Sequence, residues 1–87
     1  MIPIYGFLEG DTIGLLIFAY PNETVHDLIN KVQKAAALRV QPKNDMTLVY
    51  KDQLMDLNST VTQMGIQPLE HFFVVHGALP LSKGTSS

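Results

Sequence analysis

The spacing of apolar residues changes once along this chain and then changes back. Between two stretches of strand-like sequence, Val25, Leu28, Ile29, Val32 and Ala36 fall at helical spacing, with Asn30, Lys31, Gln33 and Lys34 between them. No other segment has a sustained helical period. One amphipathic helix cannot bury its apolar stripe alone, and the β-rich runs on either side supply the sheet it must pack on. The chain's 87 residues hold one core and one domain. The class is therefore α+β.

The first run, "IPIYGFLEGDTIGLLIFAY", is two strands around Glu9-Gly10-Asp11, whose small and polar residues suit a hairpin turn, so the two are expected to pair antiparallel. Thr24 is a good helix N-cap, and Asp27 three residues on can bond back to its N–H in the manner of a capping box. Pro42 cannot continue a helix and disfavours helical geometry at Gln41, which predicts an end near Leu38. "MTLVYK" reads as a third strand, and "DQLMDLNST" as a turn with a short strand at most. "TVTQMGIQP" reads as one helical turn stopped by Gly65 and Pro68, and "EHFFVVHG" as the last strand. The small and polar "ALPLSKGTSS" has the composition of a frayed terminus, giving a domain over 1–77 and a flexible tail over 78–87. The order ββαββ is that of the ubiquitin-like β-grasp, one mixed sheet with a single helix packed across it.

Charge and composition narrow the function. Six Lys and Arg against eight Asp and Glu are spread singly, so no basic stripe is available to neutralise phosphates and nucleic acid is not an expected partner. There is no cysteine for disulfides or thiolate metal sites, which makes an intracellular location the default. The longest apolar run, Ile13 to Tyr20, falls far short of the roughly 20 residues of a membrane span, and no basic segment or cleavage site precedes it. The expectation is a soluble, unprocessed cytoplasmic chain with no membrane contact.

Glu23-x-x-His26 has the spacing with which one helix offers a carboxylate and an imidazole to iron. A di-iron bundle needs that motif on two helices and two further glutamates. This chain has one copy on one long helix, and Glu23 precedes the N-cap, so the pair reads as a solvated first turn whose acidic residues suit the helix dipole. His71 and His76 stand five apart on the last strand and thus face opposite ways. No Ser, His and acid set is recognisable, and Gly6, Gly10 and Gly14 lack phosphate-loop spacing. No catalytic, metal-binding or cofactor-binding residues are expected.

Hydrophobic residues make up 46% of the chain and charged residues only 16%, and the surplus sits in the strands. A sheet covered by one helix needs only one apolar face. Here Leu16, Phe18 and Tyr20 alternate with Leu15, Ile17 and Ala19, Phe73 and Val75 with Phe72 and Val74, and Val49 follows Leu48. On the ubiquitin pattern Leu15, Ile17, Leu48, Phe72 and Val74 face the helix. Leu16, Phe18, Val49, Phe73 and Val75 are left on the open face as a candidate partner-binding patch. The other expectation for that face is cover by the tail through Leu79 and Leu81.

The residues also resemble a particular family. Pro3, Phe7, Glu9 and Asp11 lie ahead of the second strand, and Asn22 and Thr24 stand at the helix start. Lys31-Val32 lies within the helix, Arg39-Val40-x-Pro42 after it, and Gly65-Ile66-x-Pro68-x-Glu70 before the final strand. In order and spacing this is similar to the small B-type, or gamma, hydroxylase subunit of bacterial multicomponent di-iron monooxygenases, the group acting on toluene, alkenes and isoprene. The chain departs from that pattern at Leu38, where a second basic residue is usual, in the less basic "TLVYK", and in running on from Gly77 to Ser87. The resemblance implies a ubiquitin-like chain without a cofactor that binds the large iron-containing subunit. That subunit would hold the di-iron centre and lead to a second hydroxylase subunit in a hetero-hexamer. The Arg39 to Pro42 loop is a second candidate contact. The competing reading is a ubiquitin-like adaptor or secretion-system protein. A conjugated modifier is disfavoured because Lys83-Gly84-Thr85-Ser86-Ser87 offers no Gly-Gly pair. A small enzyme using His26 or His71 lacks partner residues.

Overall fold

The computed structural model describes residues 1–76; the expected tail over 78–87, with Leu79 and Leu81, lies outside the described residues. The elements are β1 (Ile2–Leu8), β2 (Gly14–Ala19), α1 (Val25–Ala35), β3 (Met46–Tyr50), β4 (Gln53–Leu54), α2 (Val61–Met64) and β5 (His71–His76). The sheet order is β2-β1-β5-β3-β4. β1 and β5 run parallel, while the β1–β2, β3–β5 and β3–β4 pairs are antiparallel, so the sheet is mixed, as expected.

α1 starts where the sequence places it. The Thr24 hydroxyl accepts from the Asp27 N–H at 3.2 Å and the Asp27 carboxylate accepts from the Thr24 N–H at 3.0 Å. α1 stops earlier than predicted, at Ala35 with Ala36 as C-cap, and Leu38 lies in a hydrogen-bonded turn. The reason is a tightening to three-residue bonds, Ala37 N–H to Lys34 and Arg39 N–H to Ala36, which turns Val40 back toward the core. α2 is capped in the same way by Thr60 and Gln63 and ends at Gly65, whose φ of 73° is the left-handed conformation glycine adopts readily.

The helix-covered side of the sheet is the core. Ile4, Leu48, Phe72 and Val74 are fully buried against Val25, Leu28 and Val32 of α1. Gly6 lets α1 come close, because a Cβ there would stand 2.6 Å from Val32 Cγ2 and 3.0 Å from Phe72 Cζ. Pro3 is tolerated in a strand bonded on both sides because its missing N–H would point beyond the start of β5, which pairs β1 only from Tyr5 onward. Its carbonyl accepts from the Leu69 N–H at 2.6 Å. β3 turns into β4 through Lys51 and Asp52, with φ of 53° and 64°, the conformation of a primed two-residue hairpin.

Two ties hold the loop between α1 and β3. The Gln33 amide, buried on α1, donates to the Lys43 carbonyl at 3.0 Å and accepts from the Lys43 N–H at 2.7 Å. Arg39 forks onto the Asp11 carboxylate in the β1–β2 turn, its Nη2 2.8 Å from Oδ2.

Candidate interaction surface

Strand alternation carries the side of the sheet that no helix covers among the described residues as a series of cross-strand rows. One row crosses all five strands through Gly14, Phe7, Phe73, Val49 and Leu54. Leu16, Tyr5 and His71 form the next, with Pro3 and Phe18 beyond it, and Thr47 and Val75 lie on the other side. Among the described residues no strand position of this face carries Asp, Glu, Lys or Arg. Leu16, Phe18 and Phe73 are 50%, 48% and 45% exposed, and Tyr5 and Leu54 are exposed as well. That is an apolar surface spread over a whole sheet face, beyond the scattered single side chains of an ordinary monomer surface.

At its centre three rings form a cluster. The Phe7 and Phe73 centroids are 5.5 Å apart at 33°, and the His71 ring stands edge-on to both, at 5.9 Å and 5.4 Å. The Phe7 ring lies over Gly14, where a Cβ would meet ring atoms Cε1 and Cζ at 2.8 Å. The rim is polar: Tyr50, Lys51, Asp52 and Glu70 line a cavity of about 230 Å³ with His71 and Phe73. Glu70 accepts from the Tyr50 hydroxyl and, at 2.9 Å, from the Gln67 N–H, and these bonds, with Lys51 nearby, hold its carboxyl below the ordinary value. Burial, and then the same bond to Glu70, pushes the Tyr50 hydroxyl up.

Of the predicted partner-binding residues, the fold brings Leu16, Phe18, Val49, Phe73 and Val75 onto this one face, with Val49 and Val75 half-buried between their neighbours. Tyr5, Phe7, Leu54 and His71 belong there too. Their signal was the parity they share with Phe73 and Val49 once the strands are paired. Arg39 and Pro42 are exposed on the α1–β3 loop, and the Arg39 guanidinium is occupied by Asp11.

Glu23 is not simply a solvated first-turn acid. Its Oε1 accepts from the Tyr20 N–H at 2.9 Å and from the Lys31 ammonium at 2.6 Å, because Lys31 reaches back along α1 to bond the Phe18 carbonyl as well. His26 is exposed on α1. His71 lies on the uncovered face and His76 has the opposite parity. Among the described residues no three His, Cys, Asp or Glu side chains come together as a metal-binding group. No helix among them is long and apolar enough to cross a membrane.

No curated protein matches the chain. Among solved structures it is similar to a chain of the toluene 4-monooxygenase HD complex with the inhibitor 4-bromobenzoate, with a TM-score of 0.79 and 23% identity over 86% of this chain and 96% of that one. It is also similar to a chain of ATBAG1 in complex with HSP70, with a TM-score of 0.73 and 17% identity over 95% of this chain and 44% of that one. At these identities the likenesses establish the fold, a β-grasp with one main helix. Over residues 1–76 the chain matches the family model of toluene-4-monooxygenase system protein B (TmoB), and it belongs to that family of monooxygenase system proteins.

Proposed function

We propose that this chain is the non-catalytic small (gamma) subunit of the hydroxylase component of a cytoplasmic bacterial multicomponent di-iron monooxygenase. It docks on the large iron-containing subunit through the uncovered sheet face and stabilises it, and that subunit pairs with a second hydroxylase subunit in a hetero-hexamer. Membership of the TmoB family supports the assignment to a monooxygenase system. The observation that carries the docking reading is the sheet face without Asp, Glu, Lys or Arg at any strand position. Burying a large apolar side chain fully contributes about 1.5–3 kcal/mol, and several exposed at once on one face supply a driving force that a lone subunit leaves unused. The chemistry belongs to the partner, whose di-iron centre activates oxygen when loaded. This chain's Glu23 carboxylate is committed to Lys31 and the Tyr20 N–H, so its Glu-x-x-His does not fit an iron site. The test is Phe73→Asp. The variant is expected to fold alone, because the position is wet in the free chain, and to fail to co-purify with the large subunit, because docking would desolvate an unpaired carboxylate. Normal assembly of the folded variant would move the interface elsewhere, with the Arg39 to Pro42 loop the next candidate.

A further inference from the structure

We infer that Gly14 is a positioning residue for docking: by seating the Phe7 ring it keeps the aromatic cluster flat enough to meet an uncharged apolar surface of the large subunit. This rests on the docking reading above and specifies what sets the contour of that face. Gly14 begins the edge strand β2, where glycine weakens pairing and offers no side chain to pack. Its backbone does not need glycine, since its φ lies outside the left-handed region. The space above it is what is used. A Cβ would stand 2.8 Å from two atoms of the Phe7 ring, closer than real side-chain contacts come. The ring cannot yield toward the sheet interior, because Phe73 and His71 flank it at 5.5 Å and 5.9 Å. It must lift toward solvent, and a lifted ring stands proud of Phe73 on the surface that the partner meets. A flat partner surface would then lose contact across the row through Phe73, Val49 and Leu54. The occupant is the large subunit, presenting uncharged apolar side chains, because a face with no fixed charge gives a charged surface nothing to pair with.

The experiment measures assembly of the purified chain with the large subunit for wild type, Gly14→Ala, Phe7→Leu and the double variant, alongside Phe73→Asp. Gly14→Ala is expected to keep the wild-type denaturation midpoint and to weaken assembly by about tenfold or more. Phe7→Leu should weaken it too, and in that background Gly14→Ala should add nothing further, since there is no ring left to displace. The inference is overturned by wild-type assembly of Gly14→Ala, by an additive loss in the double variant, or by unfolding of Gly14→Ala, which would make Gly14 a folding residue. If Phe73→Asp blocks assembly while Gly14→Ala does not, this inference alone falls. If both assemble normally, the docking reading falls with it.

Discussion

Thr24 and Thr60, each the N-cap of its own helix, are joined by an antiparallel β-bridge, so α1 and α2 start side by side. Two backbone bonds form the bridge, Val25 N–H to the Ser59 carbonyl and Val61 N–H to the Glu23 carbonyl, both at 2.8 Å. A cap here satisfies a helix end and holds the crossover to β5 at once. Thr24→Ala is expected to lose about 0.5–2 kcal/mol of stability, as for other lost N-caps. An unchanged denaturation midpoint would show that the bridge alone sets this helix start.

Gly6 should behave unlike Gly14, although both lie in the same hairpin. The space over Gly6 belongs to Val32 Cγ2 and the Phe72 ring, both in the core. Gly6→Ala overpacks the contact between α1 and the sheet and is expected to cost about 1–3 kcal/mol. A chemical denaturation series measures it, and a Gly6→Ala midpoint equal to wild type would mean that α1 shifts freely on the sheet.

The Glu70 carboxyl is held below its ordinary value first by the Tyr50 hydroxyl and then by the Gln67 N–H. A lowered carboxyl contributes stability that is present above the unfolded value and lost as pH falls through the folded one. Asp27, bonded by the Thr24 N–H, and Asp11, bonded by Arg39, act in the same direction. Stability should therefore drop as pH falls below the ordinary carboxylate range, about 4. Glu70→Gln should make that fall shallower. Identical slopes for the two proteins would show that the bonds to Glu70 do not contribute.

Much of this was legible in the sequence, and the gaps share one physical cause. The cap at Thr24 and the box with Asp27 are local, set within three residues, and were readable. Gln33 was not: it sits among the polar positions of the helical period, yet it is buried because its amide copies a strand edge for Lys43, ten residues away. The two-sided apolar strands marked a second apolar sheet face, but Tyr5, Phe7, Leu54 and His71 join it only through the pairing register. The Gly14 seat depends on a ring from the neighbouring strand and leaves no trace in the local sequence.

Iron binding tests the fate of Glu23. With its carboxylate bonded by Lys31 and the Tyr20 N–H, the purified chain incubated with ferrous iron and desalted is expected to retain none. Stoichiometric retained iron that disappears in Glu23→Ala or His26→Ala would contradict this.

Neighbouring residues of β5 should give opposite outcomes. Val74 is fully buried and Phe73 is 45% exposed, because successive side chains of a strand point to opposite sides of the sheet. Val74 pairs with Leu8 on one side and Leu48 on the other, both themselves in the core. An aspartate there has no counter-charge: the cations of the described ion pairs, Lys31, Arg39 and Lys51, are already committed to Glu23, Asp11 and Glu70. Burying an unpaired carboxylate costs several kcal/mol, a large part of the about 5–15 kcal/mol that holds a domain together. Val74→Asp is therefore expected to unfold the free chain and with it to lose assembly, whereas Phe73→Asp loses assembly alone. Circular dichroism of the two free variants separates them. A folded Val74→Asp with native thermal stability would mean that β5 can slip by one residue and exchange its faces, and the division of the sheet into a core side and a docking side would not hold.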